Sequence, residues 1–139
     1  MEDGLTLLGR RLDGSASFVK LLGAIRHGGK GRISVSGLSG SALAFVAARF
    51  ARDTGKTLLL AFPDSESASV AQSDLSSFSG GSVELLVPGG PPVKSIHPPR
   101  QAILQNVTAL CNIALGNSRA AAAEAAFLET RAPVKEELA

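Results

Sequence analysis

Cysteine and histidine are nearly absent from this chain: one Cys and two His occur in 139 residues, with no Trp or Tyr. The lone Cys111 excludes an intrachain disulfide and a cysteine metal cage. Set among apolar helix positions, it reads as a buried structural thiol in preference to a reactive one. His27 and His97 sit in Gly- and Pro-rich connections at no metal-ligand spacing and read as exposed loop residues. No apolar run approaches the roughly 20 residues that span a bilayer. Met1-Glu2-Asp3-Gly4 places acids where a secretory signal needs a basic start, so the expected address is cytoplasmic, with no membrane partner. A net charge of +2, from 14 Lys and Arg against 12 Asp and Glu, is too small to diagnose a nucleic-acid binder by bulk electrostatics.

What is present suits a globular fold. Hydrophobic residues make up 45% of the chain and charged residues 19%, which argues against disorder. The length is that of one ordinary domain. Residues 1–14 are Gly-containing and mixed in charge, and are expected to form a loosely held arm before a single domain over residues 15–139.

From residue 15 the apolar positions take helical spacing, with Phe18, Leu21, Leu22 and Ile25 on one face and Ser15 or Ser17 as N-cap. Ile33 and Val35 read as a short strand. Leu43, Val46, Ala47 and Phe50 mark a helix that Gly55 ends. The run from Lys56 to Phe62 has the signature of a parallel strand buried on both faces. Asp64 follows as cap of a helix with Ala68, Ala71, Leu75 and Phe78 on its inner side. Residues 83–87 form a further strand, and residues 88–99 hold five of the seven prolines, which demands an irregular loop. A helix with Ile103, Val107, Leu110 and Ala114 on one face resumes near Arg100. The Ala-rich stretch from Ser118 reads as helix, followed by a strand from about Ala125 and a short helix with Pro133 at its first position. This alternation predicts an α/β domain in three layers with a mostly parallel sheet, right-handed crossovers and a degenerate P-loop (RecA/helicase-like) topology. In such a sheet the 37–41, 63–67 and 88–99 connections open on the carboxyl edge, where ligands bind.

The 33–53 stretch has the layout of a strand, a phosphate loop and a helix without the side chains that handle nucleotide. A Walker A loop reads G-x-x-x-x-G-K-[ST]: amides cradle phosphates, Lys neutralises the terminal ones, and the hydroxyl ligates Mg²⁺. Gly37 starts such a loop, but Ala42, Leu43 and Ala44 occupy the Gly-Lys-Ser/Thr positions. No catalytic residue, metal or cofactor is expected. Asp64, the one acid near a strand end considered for a Walker B role, is better explained as a cap. A serine nucleophile elbow is absent too, because Ser41 stands where G-x-S-x-G needs its last glycine. The amides of Ser39, Gly40 and Ser41 remain able to hold an anion at a helix start, or these small residues simply let strand and helix approach. Arg26, His27, Lys30 and Arg32 form a basic group that is either a solvated loop or a contact to phosphates, with Arg26, Lys30 and Arg32 the candidate nucleic-acid residues. A free-standing anion or nucleic-acid binding module is therefore the alternative function.

Taken in order, these features resemble the first domain (domain 1a) of the bacterial transcription-repair coupling factors, which is similar to the first domain of the excinuclease subunit UvrB. The residues that carry the resemblance are Gly37-Leu-Ser-Gly-Ser-Ala before an Ala-rich helix, the 57–62 strand with Pro63-Asp64, and Ser73-Asp74-Leu75 to Phe78. Residues 83–88, the loop with Pro92 and Pro98, the helix from Ile103 to Leu110, and Phe127-Leu-Glu-Thr130 to Leu138 complete it. The resemblance implies a degenerate helicase module without nucleotide binding, in the region that recruits excision-repair proteins to stalled RNA polymerase. It implies as partners the neighbouring domains of a longer repair protein, UvrA through the adjoining domain, and DNA only weakly. Val93 and Asn106 depart from the family pattern, which usually carries an aromatic residue after the proline and a later helix Arg.

Overall fold

Leu58–Phe62, Val83–Leu86 and Ala120–Glu124 form an all-parallel, open sheet of three strands, β1, β2 and β3, in the order β1-β3-β2. The computed structural model describes residues 4–26, 32–88 and 100–128. Six helices accompany the sheet among these residues: α1 (Gly4–Asp13), α2 (Ala16–Arg26), α3 (Ser41–Thr54), α4 (Ser65–Ser79), α5 (Arg100–Ala114) and α6 (Ala125–Leu128). The α/β class and the parallel sheet agree with the alternation of periods in the sequence.

Register explains the layering. Leu58 pairs with Ala120, and Val83 pairs with the same Ala120 from the other side, so these residues share one face. That face packs on Ala44, Ala47, Ala48 and Leu75 of α3 and α4, with Leu58, Leu60 and Phe78 completing the cluster. On the opposite face Ala121, Ala123 and Leu86 pack with Ala109, Leu110 and Ile113 of α5 and with Phe127. Because α5 covers the β2 side, Leu59 and Ala61 on edge strand β1 stay exposed.

Ten of the fourteen buried apolar residues among those described are alanines. The core is thus held by close approach of backbones, with few large side chains interlocking. On α3 the buried stripe is Ala44, Ala47, Ala48 and Ala51, an i, i+3, i+4, i+7 set. Leu43, Val46 and Phe50, expected on the inner face, are only half-buried at its margin. A similar rotation occurs on α5, where Ala109 is buried and Ile103 is exposed.

Helix ends follow local chemistry. The Ser67 N–H donates to Asp64 Oδ1 at 2.7 Å and the Ser67 hydroxyl donates to Oδ2 at 3.0 Å, which caps α4. Gly55 ends α3 in the left-handed conformation, φ 66°, its N–H donating to Ala51 O. These two bonds to Ser67 and the Glu66 amide hold the Asp64 carboxyl below its usual range, the Ser67 amide first. A lowered folded-state value means the ionised form is favoured on folding. Its contribution is present above the unfolded pKa and is lost as pH falls through the folded one. Asp64→Asn keeps a capping oxygen but cannot titrate. We expect the urea midpoint of Asp64→Asn to lie closer to that of the native protein at acid pH than at neutral pH; parallel pH profiles would show that the cap is not pH-linked.

Sequence expectations are corrected at four elements. The 56–62 run, read as a strand buried on both faces, is edge strand β1, which α5 does not cover, so Leu59 and Ala61 are exposed. Residues 4–13, read as part of a loose arm, form helix α1, which packs against α2 and pairs Asp13 with Arg49 of α3. Residues 32–36 make no strand: Ile33 is 46% and Val35 54% exposed, and no ladder bond joins them to the sheet. The order at the C-terminal end is reversed, with the strand at Ala120–Glu124 and the helix at Ala125–Leu128. Alanine favours helix in isolation, but two flanking strands supply a full set of ladder bonds to residues 120–124. The 88–99 loop beyond residue 88 and the final helix from Pro133 lie outside the described residues.

Candidate functional site

The candidate phosphate loop begins at Gly37, φ +84°, and ends at Gly40, φ 53° and ψ −138°, which stands as N-cap of α3 with no side-chain capping bond. Both glycines hold backbone conformations that a side chain would strain. Ala42 N–H donates to Ser39 O at 3.2 Å and Leu43 N–H donates to Gly40 O at 3.1 Å. Two amides at the helix start are therefore turned into the loop's own carbonyls. Because residues 32–36 are not a sheet strand, the loop does not spring from the carboxyl end of a strand as a phosphate loop does.

Gly40, Leu43 and Ala44 do meet the carboxyl end of β1. Together with Leu60, Phe62 and the α4 residues Glu66, Val70 and Asp74 they line a cavity of ≈ 400 Å³. Among the described residues its ionisable lining groups are two carboxylates, Glu66 and Asp74. Leu43 and Ala44 bring apolar side chains to this cavity, with neither a cation for phosphate nor a hydroxyl for a metal ion. A polyphosphate here would meet like charge and apolar surface. The acids at the strand ends are already occupied. Asp64 caps α4, and Glu124, the last residue of β3, accepts a hydrogen bond from the Ser65 hydroxyl. Sequence reasoning missed Glu124, whose signal was a carboxylate closing a strand that the sequence read as helix. Among the described residues no three His, Cys, Asp or Glu side chains gather to hold a metal ion.

Of the predicted basic group, Arg26 and Arg32 are among the described residues. Arg26 Nη2 donates to Asp53 O at 2.9 Å, and Lys56 Nζ donates to Ile25 O at 3.3 Å. These bonds tie the C-terminal ends of α2 and α3 together, each cation serving the helix-end carbonyls of its neighbour. Arg32 is exposed, while His27, Lys30 and His97 lie outside the described residues. Among the described residues no helix is long and apolar enough to cross a membrane.

Comparison of the chain with protein-family models, with curated proteins and with solved structures found no match.

Proposed function

We propose that the chain is a non-catalytic, UvrB-like domain of a transcription-repair coupling factor, belonging to the region that recruits nucleotide-excision-repair proteins to stalled RNA polymerase. The reading rests on the order of sequence motifs and on an α/β domain with a parallel sheet, and it takes the 37–44 loop to be a degenerate phosphate loop that has lost its leading strand from the sheet. The observation that carries it is the cavity at the end of β1. Leu43 and Ala44 take the lysine and hydroxyl positions there, and Glu66 and Asp74 supply the wrong sign of charge for phosphate. A loop of this kind no longer turns over nucleotide, and the domain acts through protein contacts with neighbouring domains and, through an adjoining domain, UvrA.

Two arms test it. Calorimetric titration with ATP and Mg²⁺ is expected to give no heat of binding for the chain, and Mg²⁺-dependent binding in the millimolar range or tighter would overturn the degenerate-loop reading. The double variant Leu43→Lys, Ala44→Thr returns the lost side chains; with Glu66 and Asp74 beside them, it is expected to bind no more than weakly. In cells that lack this chain, lesions on transcribed strands should lose their preferential removal, read by strand-specific lesion mapping. An unchanged strand preference would sink the repair assignment even if the calorimetry is silent.

A further inference from the structure

The two outer strands of the sheet are finished differently. On edge strand β2 the outward carbonyls are taken by side-chain amides: Gln72 Nε2 donates to Val83 O at 2.9 Å, and Gln105 Nε2 donates to Leu85 O at 3.3 Å. Just beyond the strand Asn106 takes the place of a neighbouring backbone, its Oδ1 accepting from Val87 N–H at 3.0 Å and its Nδ2 donating to Val87 O at 2.8 Å. An incoming strand finds these groups already occupied.

Edge strand β1 has no such cover among the described residues. Leu58 N–H donates to Arg119 O at 2.9 Å, so alternation turns the backbone groups of Leu58, Leu60 and Phe62 toward β3 and those of Leu59 and Ala61 outward. No described residue bonds to these outward N–H and C=O groups. The side chains beside them are apolar and open: Leu59 is 48% exposed, and Ala61 is exposed too. The strand also lacks the usual guards of a free edge, since it contains no charge, no proline and no bulge.

We infer that β1 pairs with β1 of a second copy of this chain, antiparallel about a two-fold axis at Leu60, which joins the two sheets into one. With that centre Leu59 stands opposite Ala61 of the second copy, and Ala61 opposite its Leu59, so each outward N–H and C=O on β1 meets its complement. The same centre sets Lys56 against Asp64 of the second copy at both ends of the pairing, opposite charges on exposed residues. Pro63 has no N–H and stops the ladder beyond Ala61. The pairing limits itself: the free edges of the joined sheet are the two β2 edges, which the amides cover, so a closed dimer forms and not a fibre. An unrelated strand would satisfy the hydrogen bonds and leave the flanking charges unmatched. The inference is independent of the repair reading and of the 37–44 loop, neither of which contributes a residue to this edge.

Sedimentation equilibrium of the native chain, from low micromolar to near-millimolar concentration, is expected to show a reversible monomer–dimer equilibrium. Amide hydrogen exchange at Leu59 and Ala61 should be fast in dilute solution and slow as the dimer fills. Ala61→Pro removes one outward donor without touching a bond to β3, and Leu59→Lys places a charge on the edge; each is expected to weaken dimerisation about tenfold or more. Lys56→Glu, which sets like charges together at both ends, should weaken it about threefold or more. Leu104→Lys, at a residue 67% exposed on α5 and outside the sheet, should leave it within about twofold. Thermal melts establish that each variant folds, and Leu59→Lys carries the test if the Ala61→Pro chain does not fold. A native chain that stays monomeric throughout the range would overturn the inference, as would assemblies that grow past the dimer. So would equal weakening by Leu104→Lys, or Leu59 and Ala61 amides that are already protected in the dilute monomer, which would mean that one chain covers its own edge.

Discussion

Leu75→Ala should destabilise the protein by about 2–5 kcal/mol, toward the upper end of that range for buried leucine. Leu75 has no exposed surface and sits on α4 among Ala44, Ala47, Ala48, Val83 and Ala120. Four of these five neighbours are alanines that end at Cβ and cannot rotate into the space that Leu75 vacates, which leaves Val83 and the flanking Leu58, Leu60 and Phe78 to fill it only in part. The cavity closes only if α4 shifts as a body, and the cost of an unfilled cavity grows with its volume. For a domain whose net stability is typically about 5–15 kcal/mol, this is a large fraction of the total. Urea denaturation followed by far-ultraviolet circular dichroism gives the measurement, with Leu75→Met as the volume-conserving control at a loss below about 1.5 kcal/mol. A loss below about 1 kcal/mol for Leu75→Ala would mean that α4 is not seated on the sheet in solution as described.

Ala122→Val separates two physical effects that oppose one another. Valine is the better strand former, and by propensity alone the change should stabilise by up to about 1 kcal/mol. Ala122 is fully buried in the middle of the central strand, paired with Leu60 on one side and Leu85 on the other. Alternation puts it on the face of Ala120, under α3 and α4. Two added methyl groups there push the helices from the sheet, and overpacking typically costs about 1–3 kcal/mol. The expected outcome is net destabilisation. Ala61→Val is the matched comparison: Ala61 is exposed on edge strand β1, and there propensity should prevail, leaving stability unchanged or slightly raised. If both changes stabilise, the alanine core is looser than its packing implies.

The alanine core also explains where sequence reading succeeded and failed. Residues 58–62 and 83–86 carry bulky apolar side chains in short runs bounded by turn residues, and both strands were legible. The α4 face was legible because Leu75 and Phe78 dominate its hydrophobic pattern and Asp64 marks its start. On α3 the larger residues Leu43, Val46 and Phe50 drew the predicted inner face toward themselves. The buried stripe is made of the smaller Ala44, Ala47, Ala48 and Ala51. Helices that approach a sheet closely bury their smallest residues and leave larger ones along the margin, so a scale that ranks side chains by hydrophobicity points to the wrong side. Residues 120–124 failed for a related reason. Four consecutive alanines have helical propensity, and only the pairing with β1 and β2 makes them a strand.

The candidate site divides in the same way. Loss of the lysine and hydroxyl from the loop was readable from Leu43 and Ala44 alone. The cavity at the end of β1 was not, since Leu43, Leu60, Glu66 and Asp74 come together only through the packing of α3 and α4 on the sheet.

By itself the sequence determined the α/β class, the parallel sense of the strands, the caps at Asp64 and Gly55, and the absence of phosphate-handling side chains from the loop. Each depends on local chemistry or short-range spacing. Tertiary structure alone decided that residues 120–124 become the central strand, that residues 32–36 stay out of the sheet, and which helix faces turn inward. Those outcomes depend on how closely layers of alanine approach one another, a property of the assembled core that no single segment encodes.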